Sequence, residues 1–177
     1  MTKLSMHAIS APVFVRMLKN LSSMLAKGEQ QAKAKGYDPA ILLGARLAPD
    51  MLPLTRQVQI ATDHAKGAMA RLAGHTAEAI EDTETSFAQL QSRIQKVINI
   101  VEGYKEEQLV GSESREVTIK LPGTELKFDG LTYLTGFAFG NFYFHVTTAY
   151  AILRHNGVPL GKQDFIGVRS FTDTSDW

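Results

Sequence analysis

The chain has 177 residues, 44% of them hydrophobic, with 19 basic and 18 acidic residues and a net charge of +1. That length fits a single domain over residues 1–177 with ample material for one core. The absence of cysteine excludes disulfides, thiolate metal sites and a cysteine nucleophile.

Charge and hydropathy narrow the class further. Nucleic-acid binders carry a basic stripe, but the nearest candidate here, Lys27 to Lys35, includes Glu29 and reads as a solvated helix end. Nucleic acid is therefore not an expected partner. No stretch approaches the ~18 uncharged apolar residues of a membrane span. The closest, residues 131–153, is diluted by two glycines, Asn141 and several threonines and tyrosines. The first residues lack the apolar core and cleavage signal of a secretory leader. Together these point to a cytoplasmic protein with no membrane partner.

In chain order, the first helix is expected from about Ser5 to Lys35, on a stripe of Ile9, Val13, Phe14, Met17, Leu18, Leu21 and Leu25. Pro12 starts its regular part or kinks it, and Gly36 stops it. Asp38-Pro39 opens a short helix to about Leu47. The second long helix spans about Pro53 to Ala73. Leu54, Val58, Ala61, Ala65, Ala68 and Leu72 fall within about 40° of one direction, with His64 about 80° off their centre. Asp63 falls on the opposite, solvent side. The third long helix begins at a Ser86-x-x-Gln89 capping box and ends near Gly103. Asp82 and Glu84 are read as favouring its positive end. Residues 115–128 change period and read as a β-hairpin turning at Pro122-Gly123-Thr124. The fourth long helix runs from about Leu131 to His155, with Gly157 just beyond it. Apolar on nearly every side, it should be the most buried. From about residue 158 the tail reads as irregular.

One polar constellation emerges. Asn141 and His145, four apart, share a stripe of the fourth helix, and His64 lies at the core edge of the second. Were these two helices neighbours, the three side chains would converge, which is how metal sites in bundles are built. Two neutral imidazoles suit zinc, nickel or iron, whereas an amide oxygen is a weaker ligand. The alternative is a hydrogen-bonded Asn141–His145 core pair. His7, His75 and His155 are read as helix-end or loop residues. Arg154 and Lys162 are read as solvated surface cations able to meet an anion. The aromatic fourth helix fills the core, lines a pocket or forms a dimer seam.

The segments Pro12-Val-Phe-Val-Arg-Met-Leu-Lys-Asn-Leu, Ala45-Arg-Leu-Ala-Pro-Asp-Met, Gln57-Val-Gln-Ile-Ala-Thr-Asp-His64, Asp82-Thr-Glu-Thr and Asn141-Phe-Tyr-Phe-His-Val-Thr-Thr-Ala-Tyr, with Leu153-Arg-His-Asn-Gly-Val-Pro-Leu-Gly-Lys-Gln-Asp-Phe, carry a resemblance. The chain resembles the DinB/YfiT-like superfamily and, within it, the DUF1993 group, over residues 4–166. This implies an all-α, DinB/YfiT-like four-helix bundle with a short β-hairpin between helices three and four. Metal-binding members carry one histidine on helix two and His-x-x-x-His on helix four. Those positions fall on His64, Asn141 and His145, so Asn141 departs from the pattern. The resemblance further implies a divalent metal such as zinc or nickel, a transferase-like chemistry using a thiol that arrives with a ligand, and a homodimer. The alternative is a non-catalytic homodimeric small-molecule-binding or structural protein in which the same residues form a polar core network.

Overall fold

The computed structural model describes residues 4–167. Four long helices make the bundle: α1 (Met6–Lys35), α3 (Leu54–Leu72), α4 (Phe87–Gly103) and α6 (Phe139–His155), with the short α2 (Ala40–Gly44) after α1. They pack around the core in the cyclic order α1, α4, α3, α6. The strands β1 (Glu116–Leu121) and β2 (Thr124–Asp129) pair antiparallel, with Leu121 opposite Thr124, so Pro122-Gly123 is a two-residue turn. Gly123 supplies its positive φ, 76°. The expected bundle with a hairpin before the last long helix is the fold observed. Among the described residues no helix is long and apolar enough to cross a membrane.

The helix ends follow local chemistry. Ser5 caps α1 by accepting from the Ala8 amide, and Gly36, at φ 74°, closes it with bonds back to Ala32 and Lys33. Pro12 neither starts nor stops α1, which runs through it from Met6. The ring removes one intrahelical donor, and just upstream the Ser10 hydroxyl donates to the Met6 carbonyl at 2.5 Å. Ser86 accepts from Gln89 N, while the Gln89 side chain accepts from the Thr85 amide rather than from Ser86. A short helix, α7 (Lys162–Ile166), lies in the stretch expected to be irregular. The remainder of that tail, residues 168–177, lies outside the described residues.

Burial departs from expectation. Thirteen of nineteen α3 residues are buried, against six of seventeen in α6, where Phe144 is 57% exposed. The reason is position rather than composition. α3 packs between α4 and α6, and its buried alanines let both come close. The hairpin lays Val117 and Ile119 on the bundle, leaving Leu121 exposed at the turn.

β2 runs into α5 (Gly130–Thr132), then a π-helical segment, Tyr133–Ala138, then α6. Asp129 caps this start by accepting from Thr132 N and Oγ1. At Gly130 a Cβ would overlap the Ser112 carbonyl oxygen, a backbone atom that cannot swing aside. Gly130→Ala is therefore expected to destabilise the fold by about 1–3 kcal/mol, read as a shift of the urea midpoint.

Candidate functional site

α3 and α6 are neighbours, so His64 and His145 meet. Their ring centroids are 5.9 Å apart and the planes nearly parallel, at 16°. His145 Nδ1 lies 2.7 Å from Gln57 Oε1. The orientation of Gln57 is set independently, because its Nε2 donates to the Leu52 carbonyl at 2.9 Å. Oε1 can only accept, so Nδ1 of His145 carries the proton and Nε2 keeps its lone pair. Gln57 is 2% exposed, so water does not compete for this bond.

Asn141 lies one turn before His145, but the two do not form the core pair expected from their spacing. Asn141 Nδ2 donates to the Phe137 carbonyl at 2.8 Å within its own helix, and His145 bonds across to α3 instead. A side chain that reaches back to its i−4 carbonyl is held against its own helix. With the amide nitrogen engaged there, Oδ1 is the atom left to accept.

Both imidazoles favour the neutral form. His64 is lowered to about 4, first by burial and then by the nearby His145 and Arg71, with Asp63 opposing. Burial also lowers His145. For His64 the folded pKa lies below the unfolded value of 6.5. The unfolded chain thus binds more protons between pH 6.5 and 4, so stability falls as pH drops through that window and is flat above it. Urea midpoints across this range are expected to show that slope, and His64→Gln to reduce it, leaving the contribution of His145.

The walls are aromatic. Phe137 meets His64 edge-on at 6.4 Å and stacks on Tyr133 at 6.0 Å, while Phe128 from the hairpin packs on both. Phe144 meets His145 edge-on at 5.2 Å at the exposed rim. A cavity of about 650 Å³ lies elsewhere, along α1 beside Pro12 and Lys19. It contains none of these residues, so chemistry rather than volume locates the site. His7 instead bonds the Tyr104 carbonyl, tying the start of α1 to the end of α4.

A family model described as a domain of unknown function, DUF1993, matches residues 6–166. The chain belongs to the DUF1993 family. A solved structure described as a DinB family member from Shewanella denitrificans, at 1.83 Å resolution, is 40% identical over 93% of each chain, with a TM-score of 0.84. Among curated proteins nothing matches. This DUF1993 chain is thus DinB-like along nearly its whole length.

Sequence reasoning missed two polar residues of the site, Gln57 and Arg71. The signal was available. They stand seven residues before and after His64, and seven residues at 100° each return to within about 20° of the same direction. Asp63 keeps 40% of its side chain exposed, as expected for the solvent side, but it is not free. It pairs with Arg93 at 2.9 Å and Lys66 at 3.1 Å. Asp82 and Glu84 join the same network around Arg93 instead of serving the α4 terminus.

The donor set decides what the site can hold. Neutral imidazoles are of the donor type that zinc or nickel takes, and an amide oxygen is a weaker donor of the same ions. Among the described residues no group of three or more His, Cys, Asp or Glu side chains is placed to hold a metal. Binding through this set should therefore be weaker than through three histidines.

Proposed function

We propose that His64 and His145, with Asn141 Oδ1 as a weak third donor, hold a divalent metal, zinc or nickel, in a transferase-like site that uses a small-molecule thiol. The observation that carries this reading is the Leu52–Gln57–His145 chain of hydrogen bonds, which leaves an unprotonated Nε2 beside a second neutral imidazole. Outer partners that fix a ligand histidine in this way are the usual support of metal sites. A bound divalent ion would supply Lewis acidity, lowering the pKa of a thiol brought by the ligand. The chain itself contains no thiol. Its own contributions are the tautomer set by Gln57, the low proton affinity of His64, and the wall of Phe137 and Tyr133 that keeps water from one side.

A second reading, a non-catalytic homodimeric protein with a polar core network, is favoured by the near-parallel stacking of the two rings and by a Gln57 satisfied without metal. Elemental analysis of protein purified without a metal-affinity column, followed by zinc and nickel titration, separates the two. Stoichiometric uptake is expected. No uptake of either ion would overturn the metal reading in favour of the second.

A further inference from the structure

Arg71 completes the polar line of α3. It stands one residue from the end of the helix, where a basic side chain ordinarily serves the terminal carbonyls. Instead it folds back along the helix over Gly67, its Nη1 lying 2.6 Å from the point a Cβ would occupy. A Cβ at this position would push the guanidinium aside. Nη1 donates to the Tyr133 hydroxyl at 3.2 Å, and the guanidinium carbon lies 6.0 Å from the centre of that ring. Tyr133 is 1% exposed and stacks on Phe137, which borders His64. The guanidinium therefore sits at the inner end of the aromatic wall, one step from the imidazole pair.

Its charge is unusual for its surroundings. On the opposite face of α3, the buried Arg93 is balanced by Asp63, Asp82 and Glu84. Among the described residues Arg71 pairs with no carboxylate, and its hydrogen-bond partner is a neutral phenol. Most of the five donors of the guanidinium remain unused. A half-buried cation beside neutral imidazoles makes the site attractive to an anion.

We infer that Arg71 and Tyr133 form an anion subsite beside His64 and His145, and that the small molecule bound there carries a carboxylate. One planar guanidinium matches the two oxygens of one carboxylate and balances its single charge. A phosphate dianion would call for further cations, which this wall lacks. Arg71 grips the ligand at one end and leaves its other end toward the imidazoles. The inference rests on reading the imidazole pair as a small-molecule site, but not on a metal being there.

The test compares 3-mercaptopropionate with 3-mercaptopropanamide, which differ in the charge of one end. Binding is followed by NMR through the Gly67 amide and the Arg71 Nε, with metal content measured on the same sample. The wild type is expected to prefer the acid by about ten- to hundredfold. Arg71→Gln should remove the preference without changing metal content. Gly67→Ala keeps the charge, suits a helix interior and displaces the guanidinium, and it should reduce the preference with the fold intact. Equal binding of acid and amide by the wild type, or a full preference surviving in both variants, overturns the subsite. Tighter binding of methyl phosphate than of the acid overturns the carboxylate class. A sample that takes no metal yet shows the preference defeats the metal reading alone.

Discussion

His145→Ala is expected to abolish stoichiometric uptake of zinc or nickel, and Gln57→Leu to weaken it by about ten- to hundredfold with both imidazoles still present. The two variants remove different things. His145→Ala deletes one of the two nitrogen donors, and an amide oxygen beside His64 alone is too poor a set for a borderline-soft ion. Gln57→Leu leaves the donors but frees His145 to turn, or to move its proton to the nitrogen a metal needs. It also strips the Leu52 carbonyl of its donor. Each variant leaves a buried or half-buried polar atom without its partner, at about 1–3 kcal/mol. Urea denaturation therefore registers both variants whichever reading is right, and calorimetric metal titration is the discriminating measurement. Uptake by the wild type that neither variant changes would place the ion elsewhere and end the assignment.

Arg93→Met is expected to destabilise the fold by about 3–5 kcal/mol, the largest loss anticipated for a residue outside the site. The Arg93 side chain is 1% exposed and meets Asp63 at 2.9 Å, Asp82 at 3.0 Å and Glu84 at 3.1 Å, while its Nε donates to Thr62 at 2.7 Å. It also reaches the Glu81 carbonyl. Residues 74–85 have no regular structure, and this cation holds them to α3 and α4. Removing it leaves Asp63 to Lys66, Asp82 to Arg56 and Glu84 to the Gln59 amide alone. Burial pushes the Glu84 carboxyl up, but hydrogen bonds from Gln59 and Arg93 and the charge of Arg93 outweigh this and hold it below the usual range. A depressed carboxylate stabilises the fold above its unfolded pKa and loses that contribution as pH falls through the folded value. The gap between wild type and Arg93→Met is thus widest near neutrality and should narrow below about pH 4.5. Paired urea melts at pH 7 and pH 4 read it, and equal gaps at both would show that the carboxylates are not what Arg93 answers.

Much of this was legible beforehand because apolar periodicity and end signals are local. The stripe through Leu54, Val58 and Ala65, the Ser86 cap and the stops at Gly36 and Gly157 each depend on a few neighbouring residues, and each appears in the fold. His64 and His145 were legible for the same reason, as polar breaks in apolar faces. What was not legible depends on neighbours distant in sequence. The aromatic side chains of α6 suggested that it would be the most buried helix, yet Phe144 is exposed because, among the described residues, no element covers that side. Asn141 and His145 had the spacing of a pair, but Gln57, eighty-eight residues away from His145, offered a better acceptor. Asp82 and Glu84 had the position of helix-end charges, but Arg93 drew them away.

The π-helical segment Tyr133–Ala138 has a consequence for how this wall can change. A π turn holds one residue more than the α turn it replaces. Tyr133, which meets Arg71, lies at its start, and His145, which meets Gln57, lies beyond its end. Loss of a single residue there would let the segment relax to an α-helix and rotate one group by about 100° relative to the other. The spacing between the cation-bearing end and the imidazole end is thus adjustable by one codon, with the bundle left standing. If a small molecule binds there as proposed, length variation among relatives between Thr132 and Phe139 would then mark a change in the size of that molecule.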